Sequence, residues 1–335
     1  MKSLEAFTFG KRIGQPEANE DRLVIMPGTG YAVIDGVTDR NGTMYGGMLA
    51  GRFASYAAGL ALTDFLTGLA AGKRGYDGPE ALIAVLTEAL ANGYRSAGVY
   101  DRARTDWTVR AGCAATIAFF YEGQMNIVAV GDSGVRINGG RVIQGLKPLD
   151  DVTSRLRQVS WRYFEARGVT DNECEKLAAS VTWKGTRNQP ASLPTASAEF
   201  RAAIEAQALQ ANREALPDVP EDELLELIHN GIANGQGKFQ NATDLALGYG
   251  VIDGLPVPAR YIDTASFKLS DVETIELFSD GYFSIAKLFG VAAWEAEFDR
   301  VEREDPHKIG PYMSTKGTTA SVLTDDRTYL GVRLR

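Results

Sequence analysis

The chain has 335 residues, and its 35 lysines and arginines against 43 aspartates and glutamates give a formal net charge of −8. It contains only two histidines, His229 and His307, and two cysteines, Cys113 and Cys174, which lie far apart in the sequence. This composition excludes a Cys/His zinc finger and an imidazole-rich di-metal site, and it leaves carboxylate as the abundant metal-ligand type.

Apolar runs and turn residues predict a chain that begins with strands and continues with helices. A Pro27–Gly30 turn between two apolar runs predicts a hairpin in which Met26 pairs with Tyr31. Two long Ala- and Leu-rich stretches predict helices at 46–71 and 79–104. The predicted strands are, in chain order, 22–26, 31–34, 112–121, 124–131, 135–137, 141–143, 274–278 and 328–332.

The composition changes between about residues 147 and 247, where the chain becomes polar and rich in Ala, Glu, Gln and Arg. Val152, Leu156, Val159 and Tyr163 form an apolar stripe at helical spacing, so this segment is too regular to be a linker. We therefore expect one domain spanning 1–335 that carries a helical insertion. Two roles are open for the insertion: a lid or docking surface, or a purely structural element.

Acidic residues occur where the predicted strands end. If Met26 pairs with Tyr31, Asp21 lies opposite Gly36, and Glu20 and Asp35 share one end of the hairpin. Carboxylates held together repel one another unless a divalent cation neutralises them. Taken singly, Asp-Gly and Asn-Glu-Asp sequences are more often plain turn residues.

Taken in order, the acidic motifs resemble those of the metal-dependent serine/threonine protein phosphatases of type 2C, in a divergent, bacterial-style form. The matching motifs are Asn19-Glu20-Asp21, Val33-Ile34-Asp35-Gly36, Gly112-Cys113-Ala114-Ala115-Thr116, Gly131-Asp132-Ser133-Gly134, Phe278-Ser279-Asp280-Gly281 and Asp325-Asp326-Arg327-Thr328. The resemblance runs from about residue 5 to 334, interrupted by the insertion. It implies an α+β fold, a four-layer α-β-β-α sandwich of two mostly antiparallel sheets flanked by helices.

The resemblance also implies a metal site and a reaction. Two Mg²⁺ or Mn²⁺ ions would activate a water that hydrolyses phosphoserine or phosphothreonine without a covalent intermediate, and a third ion would bind more weakly. Asp35 would bridge the two ions, and Asp21 would orient the attacking water. The other implied metal ligands are Glu20, the Gly36 carbonyl, Asp132, Asp280 and Asp325.

The sequence departs from the family pattern at the residue that would bind the substrate phosphate and at the third metal ion. Pro16 stands where the family has a phosphate-binding arginine, and Lys11 or Arg12 is the candidate to replace it. Ser284 stands where many members have an aspartate that helps to hold the third ion, which predicts a weakened third site.

Other functions are weighed against this hypothesis. Neither Cys113 nor Cys174 is followed six residues later by the arginine of a cysteine phosphatase, and Cys113 is expected in the core. The missing arginine leaves open a phosphatase of small phosphoesters. A weakly active, phosphatase-like domain that binds a regulatory partner is the third hypothesis.

Partners and location follow from composition and from the resemblance. The expected partner is a phosphorylated protein, with neither nucleic acid nor membrane, because the chain is acidic and lacks a long uninterrupted apolar run. The two isolated cysteines and the absence of an apolar leader predict a cytoplasmic protein. The sequence does not indicate an oligomeric state.

Overall fold

The computed structural model describes residues 1–39 and 41–335. Its strands are β1 Ser3–Phe9, β2 Arg22–Met26, β3 Gly30–Gly36, β4 Met44–Tyr45, β5 Met48–Leu49, β6 Cys113–Tyr121, β7 Gln124–Val130, β8 Gly134–Ile137, β9 Arg141–Gln144, β10 Asp263–Lys268, β11 Thr274–Phe278 and β12 Arg327–Arg333. Its α-helices are α1 Ala50–Ala70, α2 Pro79–Ser96, α3 Tyr100–Thr105, α4 Pro148–Glu165, α5 Asp171–Lys184, α6 Ala198–Ala215, α7 Glu221–Gly235 and α8 Val291–Glu304.

The chain forms two compact units. The first comprises Met1–Leu146, Gly250–Asp299 and Asp325–Arg335, and the second comprises Lys147–Tyr249 and Arg300–Thr324. The insertion predicted at 147–247 falls within the first segment of the second unit. That the two units make one domain stays a prediction.

Two five-stranded sheets form the centre of the first unit. The first sheet has the order β10-β7-β6-β3-β2, the second has the order β1-β12-β11-β8-β9, and the pairings in both are antiparallel. Their facing sides share one apolar cluster, in which Val33 and Ile127 of the first sheet pack with Leu277 and Leu330 of the second. Alternation along the strands turns the other residues to the outer faces of the two sheets.

Helices cover both outer faces. Helices α1 and α2 pack on the first sheet, where Leu62 and Leu66 join Ala32 and Ile117 in a second buried cluster. On the second sheet, the Trp294 ring of α8 contacts the rings of Phe278 and Tyr329. The four-layer α-β-β-α arrangement predicted from the sequence is therefore confirmed. Helix α1 is long and apolar enough to pass a length-and-composition test for a membrane span, and its buried side belongs to this core.

The β2–β3 hairpin differs from the prediction by one residue. Met26 pairs with Gly30, not with Tyr31, because the loop contains three residues and closes through a 2.9 Å hydrogen bond from the Thr29 amide to the Met26 carbonyl. Gly28 adopts a φ of 81° at the centre of this loop, a conformation that favours glycine. Continuing the observed register places Asp21 opposite Asp35, not opposite Gly36 as predicted.

Both predicted helices of the first unit are shorter than expected. Residues 44–49 form a small hairpin, in which Gly46 and Gly47 have φ values of 55° and 80°, so α1 begins at Ala50. The second predicted helix is divided, because Gly98 has a φ of 69° and the Val99 amide donates to the Tyr94 carbonyl. This is the hydrogen bond that closes a helix end at glycine, and α3 begins anew at Tyr100.

The second unit is helical, as expected for the insertion. Its helices α4, α5, α6 and α7 enclose buried apolar side chains such as Leu156 and Ile204. The Arg157 guanidinium is fully buried and donates to the His307 carbonyl at 2.7 Å and to the Glu175 carboxylate. These buried contacts show that the segment is folded and is not a linker, as the apolar stripe at helical spacing predicted.

Candidate functional site

Acidic residues from well-separated parts of the chain lie at strand ends of the first unit. Glu20 and Asp21 precede β2, Asp35 lies near the end of β3, Asp132 follows β7, Asp280 follows β11 and Asp325 precedes β12. Antiparallel pairing brings the end of β3 beside the start of β2, and it brings the end of β11 beside the start of β12. The fold itself therefore collects these side chains at one edge of the sandwich.

Asp35 is the centre of this collection. Burial raises the pKa of Asp35 well above its usual range, and the neighbouring carboxylates of Asp21, Asp132 and Asp325 raise it further. A hydrogen bond joins Asp35 to Asp280, which lowers the pKa only in part. Carboxylates this close repel one another, so one of a pair holds a proton unless a cation intervenes.

Asp21 has a similar environment. Burial raises the pKa of Asp21 to about 8, and the carboxylates of Asp326 and Asp280 contribute, whereas the polar groups of Thr328 and Ser279 nearby oppose the change. Its backbone amide donates to the Asn19 side chain at 2.9 Å. The Asn19 amide in turn donates to the Thr8 hydroxyl at 2.9 Å. Asn19 therefore fixes the backbone that carries Asp21.

Lys11 lies among the other acids of the cluster. Its ammonium donates to Glu20 Oε2 at 2.8 Å, to Asp326 Oδ2 at 2.9 Å and to Asp325 Oδ1 at 3.1 Å, and it also donates to the Thr38 hydroxyl at 2.9 Å. Burial lowers the pKa of Lys11, but Asp325, Glu20 and Asp326 outweigh it and raise the pKa well above the usual range. The ammonium is therefore charged at every physiological pH.

Glycines allow the loops of the cluster to approach closely. A Cβ at Gly36 would lie 2.4 Å from the Gly51 carbonyl oxygen and 2.7 Å from that of Glu20. A Cβ at Gly51, near the start of α1, would lie 2.6 Å from Glu20 Oε1, and one at Gly281 would lie 2.0 Å from the Asp326 carbonyl oxygen. These separations are below van der Waals contact, so any side chain at these three positions would displace the acidic loops.

The turn that carries Asp132 is held by the neighbouring strand. The hydroxyl of Thr116 in β6 donates to the Ser133 carbonyl at 2.9 Å, and both residues are fully buried. Gly131 has a φ of 90° and packs against Ala114, where a Cβ would come within 2.5 Å of the alanine side chain. These contacts hold the turn that carries Asp132 against strand β6.

The donor set fits a divalent ion at Asp35 better than at Glu20. Carboxylate oxygens are the ligands that Mg²⁺ and Mn²⁺ prefer, and the repulsion around Asp35 is what a cation would relieve. Glu20, Asp325 and Asp326 already share the Lys11 ammonium. Within the described ranges, no three Asp, Glu, His or Cys side chains surround a common point as ligands of a metal ion.

The structure brings together most residues that the sequence predicted for the site. Asp21, Asp132, Asp280 and Asp325 each interact with Asp35, and Glu20 is linked to Asp325 through the Lys11 ammonium. The ammonium of Lys11, predicted to bind the substrate phosphate, instead donates to carboxylates and to the Thr38 hydroxyl, and the whole residue is 7% exposed. Arg12, the other residue predicted to bind the substrate phosphate, is exposed.

Sequence reasoning missed three residues of the site: Asp326, Thr38 and Gly51. Asp326 accepts from both the backbone amide and the ammonium of Lys11, at 2.7 and 2.9 Å, and is 3% exposed. Its place next to Asp325 in the last motif was the available signal. No sequence signal marked Gly51 or Thr38, because each belongs to the site only through a contact with a residue distant in the sequence.

Cys113 lies outside any reactive environment. It is fully buried in β6, and burial, with Asp35 and Asp253 nearby, raises the pKa of its thiol far above the usual range. A buried neutral thiol is a poor nucleophile, so Cys113 packs in the core as expected.

No protein-family model and no curated protein matches the sequence. Solved structures of bacterial phosphatases do match it. The chain is 14% identical to the serine/threonine phosphatase Stp1 from Staphylococcus aureus (TM-score 0.41), covering 100% of this chain and 96% of that one. It is 15% identical to the serine/threonine phosphatase PstP/Ppp from Mycobacterium tuberculosis (TM-score 0.44), covering 99% and 98%.

A third solved structure is the catalytic domain of the serine/threonine protein phosphatase PstP in complex with two manganese ions. The identity is 14% and the TM-score is 0.41, with 98% of this chain and 96% of that chain covered. All three structures are of proteins named as serine/threonine phosphatases.

Proposed function

We propose that this chain is a Mg²⁺- or Mn²⁺-dependent phosphatase that hydrolyses phosphoserine and phosphothreonine in proteins. One observation carries the proposal: Asp21, Asp35, Asp132, Asp280 and Asp325 come from five separate strand ends and meet around Asp35. Holding partly buried like charges together is unfavourable, and a fold that does so at strand ends is typical of a cation-dependent site. The order of the motifs supports the assignment to this class.

In this proposal Asp35, Asp132 and Asp280 would be the carboxylates that hold a divalent ion. When bound, such an ion lowers the pKa of a water ligand and stabilises charge on the phosphoryl oxygens. Asp21, beside Asp35, accepts a hydrogen bond from the attacking water and so orients it. Asn19 and Thr8 fix the backbone of Asp21, which keeps its carboxylate in place.

The substrate phosphate needs a cation from the protein. Lys11 donates to three carboxylates, so its ammonium is directed at the acidic cluster. Arg12 follows it directly and is exposed, and a guanidinium binds phosphate oxygens through two parallel N–H groups. We propose that Arg12 binds the substrate phosphate.

A second candidate function is a phosphatase-like domain that binds a regulatory partner without turnover. The observation in its favour is the same Lys11 ammonium, which neutralises part of the acidic cluster from within. The two candidates differ in one measurable property, namely catalysis.

The test is phosphate release from a phosphothreonine peptide and from a small aryl phosphate, each with Mn²⁺ and with EDTA. Mn²⁺-dependent release from the peptide supports the proposal. Release from the aryl phosphate alone would replace it with a small-phosphoester phosphatase, and Mn²⁺ binding without release from either substrate would favour the second candidate.

A further inference from the structure

The Lys11 ammonium is held in the acidic cluster from several directions. Its Nζ lies 2.8 Å from Glu20, 2.9 Å from Asp326 and 3.1 Å from Asp325. The Lys11 backbone amide donates to Asp326 Oδ1 at 2.7 Å, so one carboxylate grips the residue at both ends. The Lys11 side chain is 9% exposed, so protein atoms surround it and largely shield it from solvent.

The oxygens around the ammonium are those that a divalent ion prefers. Three carboxylates and one hydroxyl surround it, and an ammonium has only three N–H groups to offer four acceptors. Glu20 is 3% exposed, and its second oxygen, Oε1, has no hydrogen-bond partner in the described part of the chain. This environment supplies more acceptor oxygens than one lysine needs, which is typical of a cation site.

We propose that the Lys11 ammonium is a resident cation of this site, occupying the place of one divalent ion between Glu20, Asp325 and Asp326. The wild-type chain therefore binds one divalent ion fewer than a chain without this ammonium. The inference rests on the proposed function in one respect: a divalent ion must bind at the Asp35 side of the cluster.

Two alternatives predict different behaviour. If Lys11 swung out whenever metal bound, the wild type and a Lys11 variant would bind the same number of ions and differ only in affinity. If Lys11 only held the loops together, removing its charge would lower stability without adding an ion.

The experiment is Mn²⁺ binding to the full chain, measured by calorimetric titration and by metal analysis after equilibrium dialysis. The variants are Lys11→Gln and the matched control Lys73→Gln, which removes an exposed lysine of the same unit and changes the net charge equally. We expect Lys11→Gln to bind one Mn²⁺ more per chain than the wild type, and Lys73→Gln to bind the same number as the wild type. Equal numbers for Lys11→Gln and wild type would overturn the inference.

A second measurement decides the case in which Lys11→Gln fails to fold. Retention of two Mn²⁺ ions by the wild type, with loss of both in the double variant Asp35→Asn/Asp325→Asn, would overturn the inference without any Lys11 variant. One ion retained, and lost in Asp35→Asn, supports it.

The proposed function fails in a distinguishable way. If the wild type and Lys11→Gln both bind no Mn²⁺, the metal-dependent function and this inference are both overturned. If the wild type shows Mn²⁺-dependent phosphate release but equal ion numbers, only the inference is overturned.

Discussion

The ammonium of Lys11 lies 2.8 Å from the carboxylate of Glu20, and both side chains are almost fully buried. Glu20 stands in an Asn-Glu-Asp sequence, where the resemblance implied a metal ligand, and the structure shows it holding a cation that the chain itself supplies. The acidic cluster therefore has two parts: one neutralised by Lys11, and one around Asp35, where carboxylates face one another.

Breaking the Lys11–Glu20 pair should destabilise the protein. We expect Lys11→Gln to lower the free energy of unfolding by about 3–5 kcal/mol without added metal, because it leaves buried carboxylates without their cation. The double variant with Glu20→Gln should lose less than the sum of the two single variants, and urea unfolding measures this coupling. Additive losses would show that the pair does not interact.

The metal-free protein should become less stable as the pH rises. The pKa of Asp21 is raised to about 8, so the folded state holds a proton that the unfolded state releases near pH 4. Stability is therefore present at low pH and is lost between about pH 4 and pH 8. Asp21→Asn removes this contribution, so its unfolding free energy should fall less over the same range, measured by urea titration in EDTA. An identical pH dependence in both chains would contradict this.

Gly51 should not tolerate a side chain. An alanine Cβ there would lie 2.4 Å from the Val37 carbonyl oxygen and 2.6 Å from Glu20 Oε1, so we expect Gly51→Ala to cost about 1–3 kcal/mol, as overpacking does. Gly68→Ala, in the same helix α1, is the matched control. There the nearest atom is Nε of the partly exposed Arg74 side chain, which can move. Equal unfolding temperatures for the two variants would refute the close approach.

Arg12 should determine affinity for the phosphorylated substrate. Arg12→Ala is expected to raise KM for a phosphothreonine peptide about tenfold, equivalent to ~1.4 kcal/mol of lost binding. The Mn²⁺ affinity should not change, because Arg12 is exposed and outside the carboxylate cluster. An unchanged KM would assign phosphate binding to another residue.

Sequence patterns were sufficient for the layers of the fold and for the position of the acids. The apolar runs 113–121 and 124–130 are separated only by Glu122-Gly123, so they pair as a hairpin with a two-residue turn. Both turn residues adopt the positive φ that such a turn requires. The turn at Gly28 and the break at Gly98 were misread, because each depends on which glycine takes the left-handed conformation. Strand β10 and helix α8 were not assigned from sequence.

The role of Lys11 could not be read from sequence. Its partners Asp325 and Asp326 are more than 300 residues away, and only the pairing of β1 with β12 brings them together. Exposed and buried lysines look alike in a sequence. The acids could be placed because they lie at strand ends, which are predictable from sequence. The position of the Lys11 ammonium depends instead on how its side chain packs against residues that are distant in the sequence.

The proposed function requires Asp35 to organise a divalent-ion site at which phosphothreonine is hydrolysed. Its most direct test is the rate of phosphate release from a phosphothreonine peptide as Mn²⁺ is increased, comparing the wild type with Asp35→Asn and with the exposed control Asp271→Asn. We predict saturable, Mn²⁺-dependent release in the wild type and in Asp271→Asn, and a loss of at least ~100-fold in Asp35→Asn. Release that persists in EDTA and in Asp35→Asn would contradict the claim.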